Sequence, residues 1–222
     1  MSKIKIATFL FFLFSVLDVA GIIFNNQTLI HFSKPFILLS LIVMYVLKVD
    51  KKYKLYILAL LLCFLGDVFL MYKGEMYFIV GLVSFLLAHF LFIKIVLNRI
   101  QNSTLLKVII STIPFLLFLL TLILTLKNSL GDMLLPVIVY GLTISIFGMV
   151  SLLDYLNTTS AKSLFMFLGA LVFIISDATL AINKFYHSTH LFEVLVMVTY
   201  ILAQYLIFRS MILESKSLKH II

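Results

Sequence analysis

From Lys54 to Tyr72 the chain reads KLYILALLLCFLGDVFLMY. After its first residue one aspartate, Asp67, interrupts a run that is otherwise apolar and shows no strict alternation of polar and apolar positions. A helix that spans a bilayer needs about 20 residues of this kind, whereas a membrane β-strand needs about 10 with alternating character. The stretch therefore predicts a helix in lipid that carries a carboxyl group inside it.

Similar runs lie on both sides. Reading outward, apolar stretches fall at roughly 4–24, 35–48, 76–97, 105–127, 133–153, 162–183 and 190–212, the second with room to begin earlier, near Thr28. Of the 222 residues 64% are hydrophobic and 12% charged, with a mean hydropathy of +1.23. A soluble domain is about half apolar and a quarter charged. One core cannot hide the surplus, so the expectation is an all-α membrane protein: a single domain, 1–222, of eight transmembrane helices. The N-terminal MSKIKIATFLFFLFSVLDVAG has the look of a secretory signal, but its apolar part is long and more membrane helices follow. An uncleaved first span is expected.

The charges orient these helices. Lys and Arg collect in the cytoplasmic connections of small multi-pass proteins. With the two termini and the 2–3, 4–5 and 6–7 connections on one side, that side holds Lys3, Lys5, Lys48, Lys51, Lys52, Lys54, Lys94, Arg99, Lys107, Lys162, Arg209, Lys216 and Lys219. The other side holds only Lys34, Lys73, Lys127 and Lys184. Both termini are thus expected in the cytoplasm, and in a bacterial cell the inner membrane is the expected location. The net charge of +8 reports topology in this reading. It is spread thinly over turns rather than gathered into a stripe, so no nucleic-acid partner is expected. A single cysteine, Cys63, allows no intramolecular disulfide and suggests no metal framework.

Asp67 has a counterpart. GDVFL at 66–70 aligns with SDATL at 176–180, and a lysine follows each (Lys73, Lys184). SFLLAHFL at 84–91 aligns with TYILAQYL at 199–206, matching Leu87 with Leu202, Ala88 with Ala203 and His89 with Gln204. The offsets are 110 and 115 residues. They predict a parallel 4+4 repeat with halves 1–104 and 105–222, in which helices 3 and 7 are equivalent and their aspartates face a shared cavity. Counted at about 1.5 Å per residue, Asp67 and Asp177 lie roughly 8–10 Å below the outer edge, with Asp18 and Tyr140 in the same tier. His89 and Gln204 fall about 10 Å deeper. Lys34, Asn183 and Lys184 come at the outer mouth.

An aspartate in mid-span costs about 2.5–3.5 kcal/mol on insertion scales, which makes such residues functional by default. Two carboxyls close enough to share a proton form an acid–base pair. Asp67 and Asp177 are accordingly the candidate catalytic residues. Around them, Asp18 and His89 are candidate proton partners or hydrogen-bonding groups, and a lone in-span histidine makes a poor metal site. Tyr140 and Tyr200 are candidate donors to a substrate oxygen, with packing as the plainer alternative. Gln204 is a candidate substrate contact or an interhelical hydrogen bond. Asn183 and Lys34 stand at the mouth, Lys34 as a phosphate contact or a snorkelling lysine. No metal or cofactor is expected.

Five segments in order, SKPF (33–36), LGDVFLM (65–71), FIVGLVSFLLAH (78–89), SDATLAINKF (176–185) and YILAQYLI (200–207), together resemble the YhhN family of membrane proteins. The likeness runs from residue 33 to about 208. It implies an eight-helix lysoplasmalogenase-like hydrolase that cleaves the vinyl ether bond of a lysophospholipid held in the bilayer. The products would be a fatty aldehyde and glycerophosphoethanolamine or glycerophosphocholine, with Asp67 and Asp177 as the acid–base pair. That chemistry needs a proton and a water but no nucleophilic serine, in keeping with a chain that has no GxSxG. The residues by themselves also suit a second class, a proton-coupled transporter of a small or lipid-like solute.

Overall fold

A computed structural model describes residues 3–217, with side chains to Ser215; Lys216 and Lys219, which were counted for the C-terminal side, lie outside the described side chains. The described residues form eight helices and no strand: α1 Lys3–Ile23, α2 Gln27–Lys48, α3 Lys54–Leu70, α4 Glu75–Leu97, α5 Leu105–Leu126, α6 Leu134–Thr158, α7 Ala161–Phe185 and α8 His190–Ser217. A 3₁₀ turn, Gly131–Met133, leads into α6. All of these but α3 are long and apolar enough to cross a membrane, seven in number. At 17 residues α3 stands at the lower limit for a span. The protein is an integral, multi-pass membrane protein.

Helix ends differ from the sequence reading where polar residues are helix-compatible. α2 starts at Gln27, one residue from the earlier start near Thr28 that the sequence allowed, because the Asn26 side chain caps it, accepting from the Leu29 backbone N–H at 3.0 Å. Pro35 therefore sits inside the helix rather than at its start, as membrane helices tolerate. The same early start brings His31 into a span. α6 and α8 run on past 153 and 212. α3 stops at Leu70, ahead of the turn at Gly74, while α7 continues to Phe185. Asp67 is thus three residues from the end of its helix and Asp177 eight from the end of its own, in place of the expected five and six.

The chain divides into two compact units. The first comprises the residues up to Leu91 with those from Met211 onward. In it α1 packs on α2 and α2 on α3. Phe11, Leu38, Leu41, Tyr45, Tyr56, Leu60 and Cys63 are buried at its core. The rings of Tyr45 and Tyr56 meet edge to face at 4.7 Å, and the Tyr45 hydroxyl accepts from the Tyr53 N–H at 3.1 Å, which pins the start of α3 to α2.

The second unit, Phe92–Ser210, packs α5 on α6 and α6 on α7. Phe92 stacks on Phe147 with centroids 5.5 Å apart, and Phe173 meets Tyr200 edge-on at the same separation. Gly169 lets α7 close onto α8: a Cβ there would stand 2.7 Å from Ile207 Cγ1 and 3.1 Å from the Ile207 nitrogen. Large apolar side chains such as Phe9, Val16, Leu117 and Leu124 are exposed. Large apolar side chains exposed along helices of this hydropathy belong in lipid.

Candidate functional site

In the first unit Asp67 is buried on α3, next to Gly66, whose missing side chain admits the next helix. A Cβ on Gly66 would lie 2.5 Å from the Phe85 ring on α4. His89, four residues beyond Phe85, is fully buried. Its Nδ1 lies 2.8 Å from the Phe85 carbonyl oxygen. A carbonyl only accepts, so Nδ1 carries a hydrogen. Asp18 on α1 is fully buried, and the Ser33 hydroxyl on α2 donates to its Oδ1 at 3.0 Å while also reaching the Leu29 carbonyl at 2.7 Å. Lys34 follows Ser33 in the chain, half-buried and within electrostatic reach of Asp18.

The second unit surrounds Asp177 differently. Tyr140 on α6 donates its hydroxyl hydrogen to Asp177 Oδ2 at 2.7 Å. Next to it, Ser176 is buried and its hydroxyl donates to the Val196 carbonyl on α8 at 2.9 Å. Tyr200 packs on Phe173, as above. Asn183 accepts from the Thr189 N–H at 2.8 Å and so closes the α7–α8 turn. Gln204 is fully buried, and neither atom of its amide has a hydrogen-bond partner among the described residues. It forms no interhelical bond of the kind the sequence suggests.

Many positions that the sequence aligns share their burial, although Asp67 is buried and Asp177 only half-buried. On α3 the buried side is Tyr56, Ala59, Leu60, Cys63 and Gly66; 110 residues on, the buried side of α7 includes Met166, Gly169, Ala170, Phe173 and Ser176. Ala88 and His89 on α4 are fully buried, as are Ala203 and Gln204 on α8, while Leu87 and Leu202 are each 46% exposed. One contact recurs as well. A Cβ on Gly81 would lie 3.3 Å from the Gly66 carbonyl oxygen, and Ser176 bonds the Val196 carbonyl. At offsets of 110 and 115 these are the same pair of positions.

The sequence profile of the YhhN family matches residues 29–211. The chain belongs to the YhhN family. No curated protein and no solved structure matches it.

This YhhN protein carries a second polar cluster that the sequence reading missed. Just beyond α4, Arg99 lies with Nη1 3.7 Å from Asp154 Oδ2 on α6, both side chains buried. The same Nη1 donates to Ser210 Oγ at 3.2 Å, and Ser210 in turn donates to the Lys162 carbonyl at 2.8 Å. The group ties the end of α4 to α6, the start of α7 and α8. Asp154 lies fourteen residues after Tyr140, about four turns, and Ser151 eleven, about three. A helical wheel would have placed all of them on one face of α6.

Proposed function

We propose that this protein hydrolyses the vinyl ether bond of a lysoplasmalogen, with Asp67 and Asp177 as its acid–base pair. The observation that carries the reading is family membership over residues 29–211, together with two intramembrane aspartates at matching positions. The in-phase burial of α3 with α7 and of α4 with α8 supports a parallel repeat, and a repeat in turn explains why the costly carboxyl occurs twice. The order of packing agrees: α1 on α2 on α3 in one unit, α5 on α6 on α7 in the other.

The chemistry assigns each group a task. A carboxylic acid transfers its proton to the terminal carbon of the C=C–O unit, and the ether oxygen lone pair stabilises the resulting oxocarbenium ion. The partner carboxylate lowers the energy of that cation and takes a proton from the incoming water. Water adds at the carbon bearing oxygen to give a hemiacetal. The hemiacetal loses its hydroxyl proton and its bond to the glycerol oxygen breaks, with a proton delivered to that oxygen. Aldehyde and glycerophospho-base leave, one water has been consumed, and both carboxyls return to their starting states. The Tyr140 hydroxyl keeps Asp177 oriented through Oδ2.

A proton-coupled transporter is the second reading, favoured by the face of α6 that carries Tyr140, Ser151 and Asp154. One preparation separates the two. Purified protein is incubated with mixed lysophospholipids, including lysoplasmalogens, and the lipids are followed by mass spectrometry; the same protein in liposomes is tested for proton-linked uptake. Loss of lysoplasmalogen with matching aldehyde supports the hydrolase. Intact lipid with proton-linked uptake selects the transporter.

A further inference from the structure

The turn between α3 and α4 carries a group of rings that the hydrolytic chemistry does not use. Gly74, at φ +130°, adopts a backbone shape that residues with side chains rarely enter. It reverses the chain so that the Tyr72 and Tyr77 ring centroids lie 5.4 Å apart at a tilt of 37°. His31 on α2 meets Tyr72 edge-on at 6.2 Å, its own ring anchored by Nδ1 at 2.7 Å from the Gln27 carbonyl. All three are exposed, Tyr72 by 51% and Tyr77 by 45%. One turn along α2 stands Lys34, backed by the buried Asp18–Ser33 pair.

Tyrosines near a membrane surface ordinarily form a belt of anchors in the head-group layer. A belt requires neither ring-to-ring contact nor a lysine set against a buried carboxylate. We propose that the cluster receives the phosphocholine head group of a lysophospholipid, the trimethylammonium against the faces of Tyr72, Tyr77 and His31 and the phosphate toward Lys34. A quaternary ammonium has no N–H to donate and is best held against aromatic faces. The rise from His31 to Lys34, about 4.5 Å, suits the short two-carbon bridge between phosphate and ammonium. Lys73 and Glu75 flank the turn with opposite charges, so ring faces rather than an ion pair set the preference. The assignment rests on the lysophospholipid reading of the substrate but not on hydrolysis.

The test measures binding to the full-length protein in nanodiscs. The ligands are saturated 1-O-alkyl lysophospholipids, which lack the vinyl ether, with choline, ethanolamine or glycerol head groups, and free phosphocholine. Wild type is expected to prefer the choline lipid. The Tyr72→Ala/Tyr77→Ala variant is expected to lose roughly five- to tenfold affinity for that lipid alone, while Tyr72→Phe/Tyr77→Phe keeps it. Lys34→Gln is expected to weaken all three lipids. If the double alanine variant fails to insert, Tyr77→Ala carries the same comparison. Equal losses for all three head groups in the tyrosine-to-alanine variants, or no choline preference in wild type, overturn the proposal. Free phosphocholine binding as tightly as the lipid overturns the lipid as its source. A preserved choline preference in a protein that never cleaves a vinyl ether sinks the hydrolase reading alone.

Discussion

Removing one hydroxyl tests how Asp177 is held. Tyr140→Phe deletes the donor at 2.7 Å from Asp177 Oδ2 and keeps the ring that fills the space. Side-chain hydrogen bonds between membrane helices contribute about 0.6 kcal/mol on average and up to about 1.7. At about 1.4 kcal/mol per factor of ten, that is roughly a 3- to 20-fold effect. If the bond orients the carboxyl for reaction, kcat for aldehyde release falls by that factor while KM stays near its wild-type value. The thermal midpoint moves little, because one bond of this size is a small part of the total. Tyr140 acts through Asp177, so Tyr140→Phe lowers kcat without abolishing turnover, whereas Asp177→Asn, which removes the reacting carboxyl, abolishes it. Aldehyde release at the wild-type rate, or a loss carried by KM with kcat unchanged, refutes the argument.

Three further outcomes follow from the packing. Arg99→Ala leaves the buried Asp154 carboxylate without its guanidinium and is expected to destabilise the protein by about 3–5 kcal/mol, read by thermal or denaturant unfolding; the Arg99→Met/Asp154→Leu pair should recover most of it. Gly66→Leu drives a side chain into the Phe85 ring and should cost about 1–3 kcal/mol, whereas Ser176→Ala removes only its bond to Val196 and should cost about 0.6. A fluorescent reporter fused after Ile222 should be active on the cytoplasmic side, as the lysine and arginine distribution predicts; a reporter active only on the far side overturns that topology.

Hydrophobic length made the helices legible, and the aligned segments pointed to many of the positions that α3 and α7, and α4 and α8, bury alike, though not to the deeper burial of Asp67 than of Asp177. The tier count also put Tyr140 level with Asp177, and the two are in contact. What escaped was partnership. Arg99 was read as one more topological charge, because a terminal arginine in a turn and one folded back onto a buried Asp154 look alike in sequence. Asp154 itself lies where the apolar run of α6 ends, and a cut-off at residue 153 hid it. Asn183 was read as a mouth residue, but its bond to the Thr189 N–H depends on a turn geometry that composition does not encode. The ring cluster escaped because it brings His31 to Tyr72, residues far apart in the chain.

The central claim is that two aspartates deliver and recover the proton that opens a vinyl ether. It is tested most directly by running wild type, Asp67→Asn and Asp177→Asn on lysoplasmalogen in heavy water and analysing the aldehyde by mass spectrometry. The account predicts one deuterium at the carbon next to the aldehyde group with wild type, and no aldehyde above background from either folded, membrane-inserted variant. Undiminished aldehyde from either variant, or wild-type aldehyde without that deuterium, contradicts it.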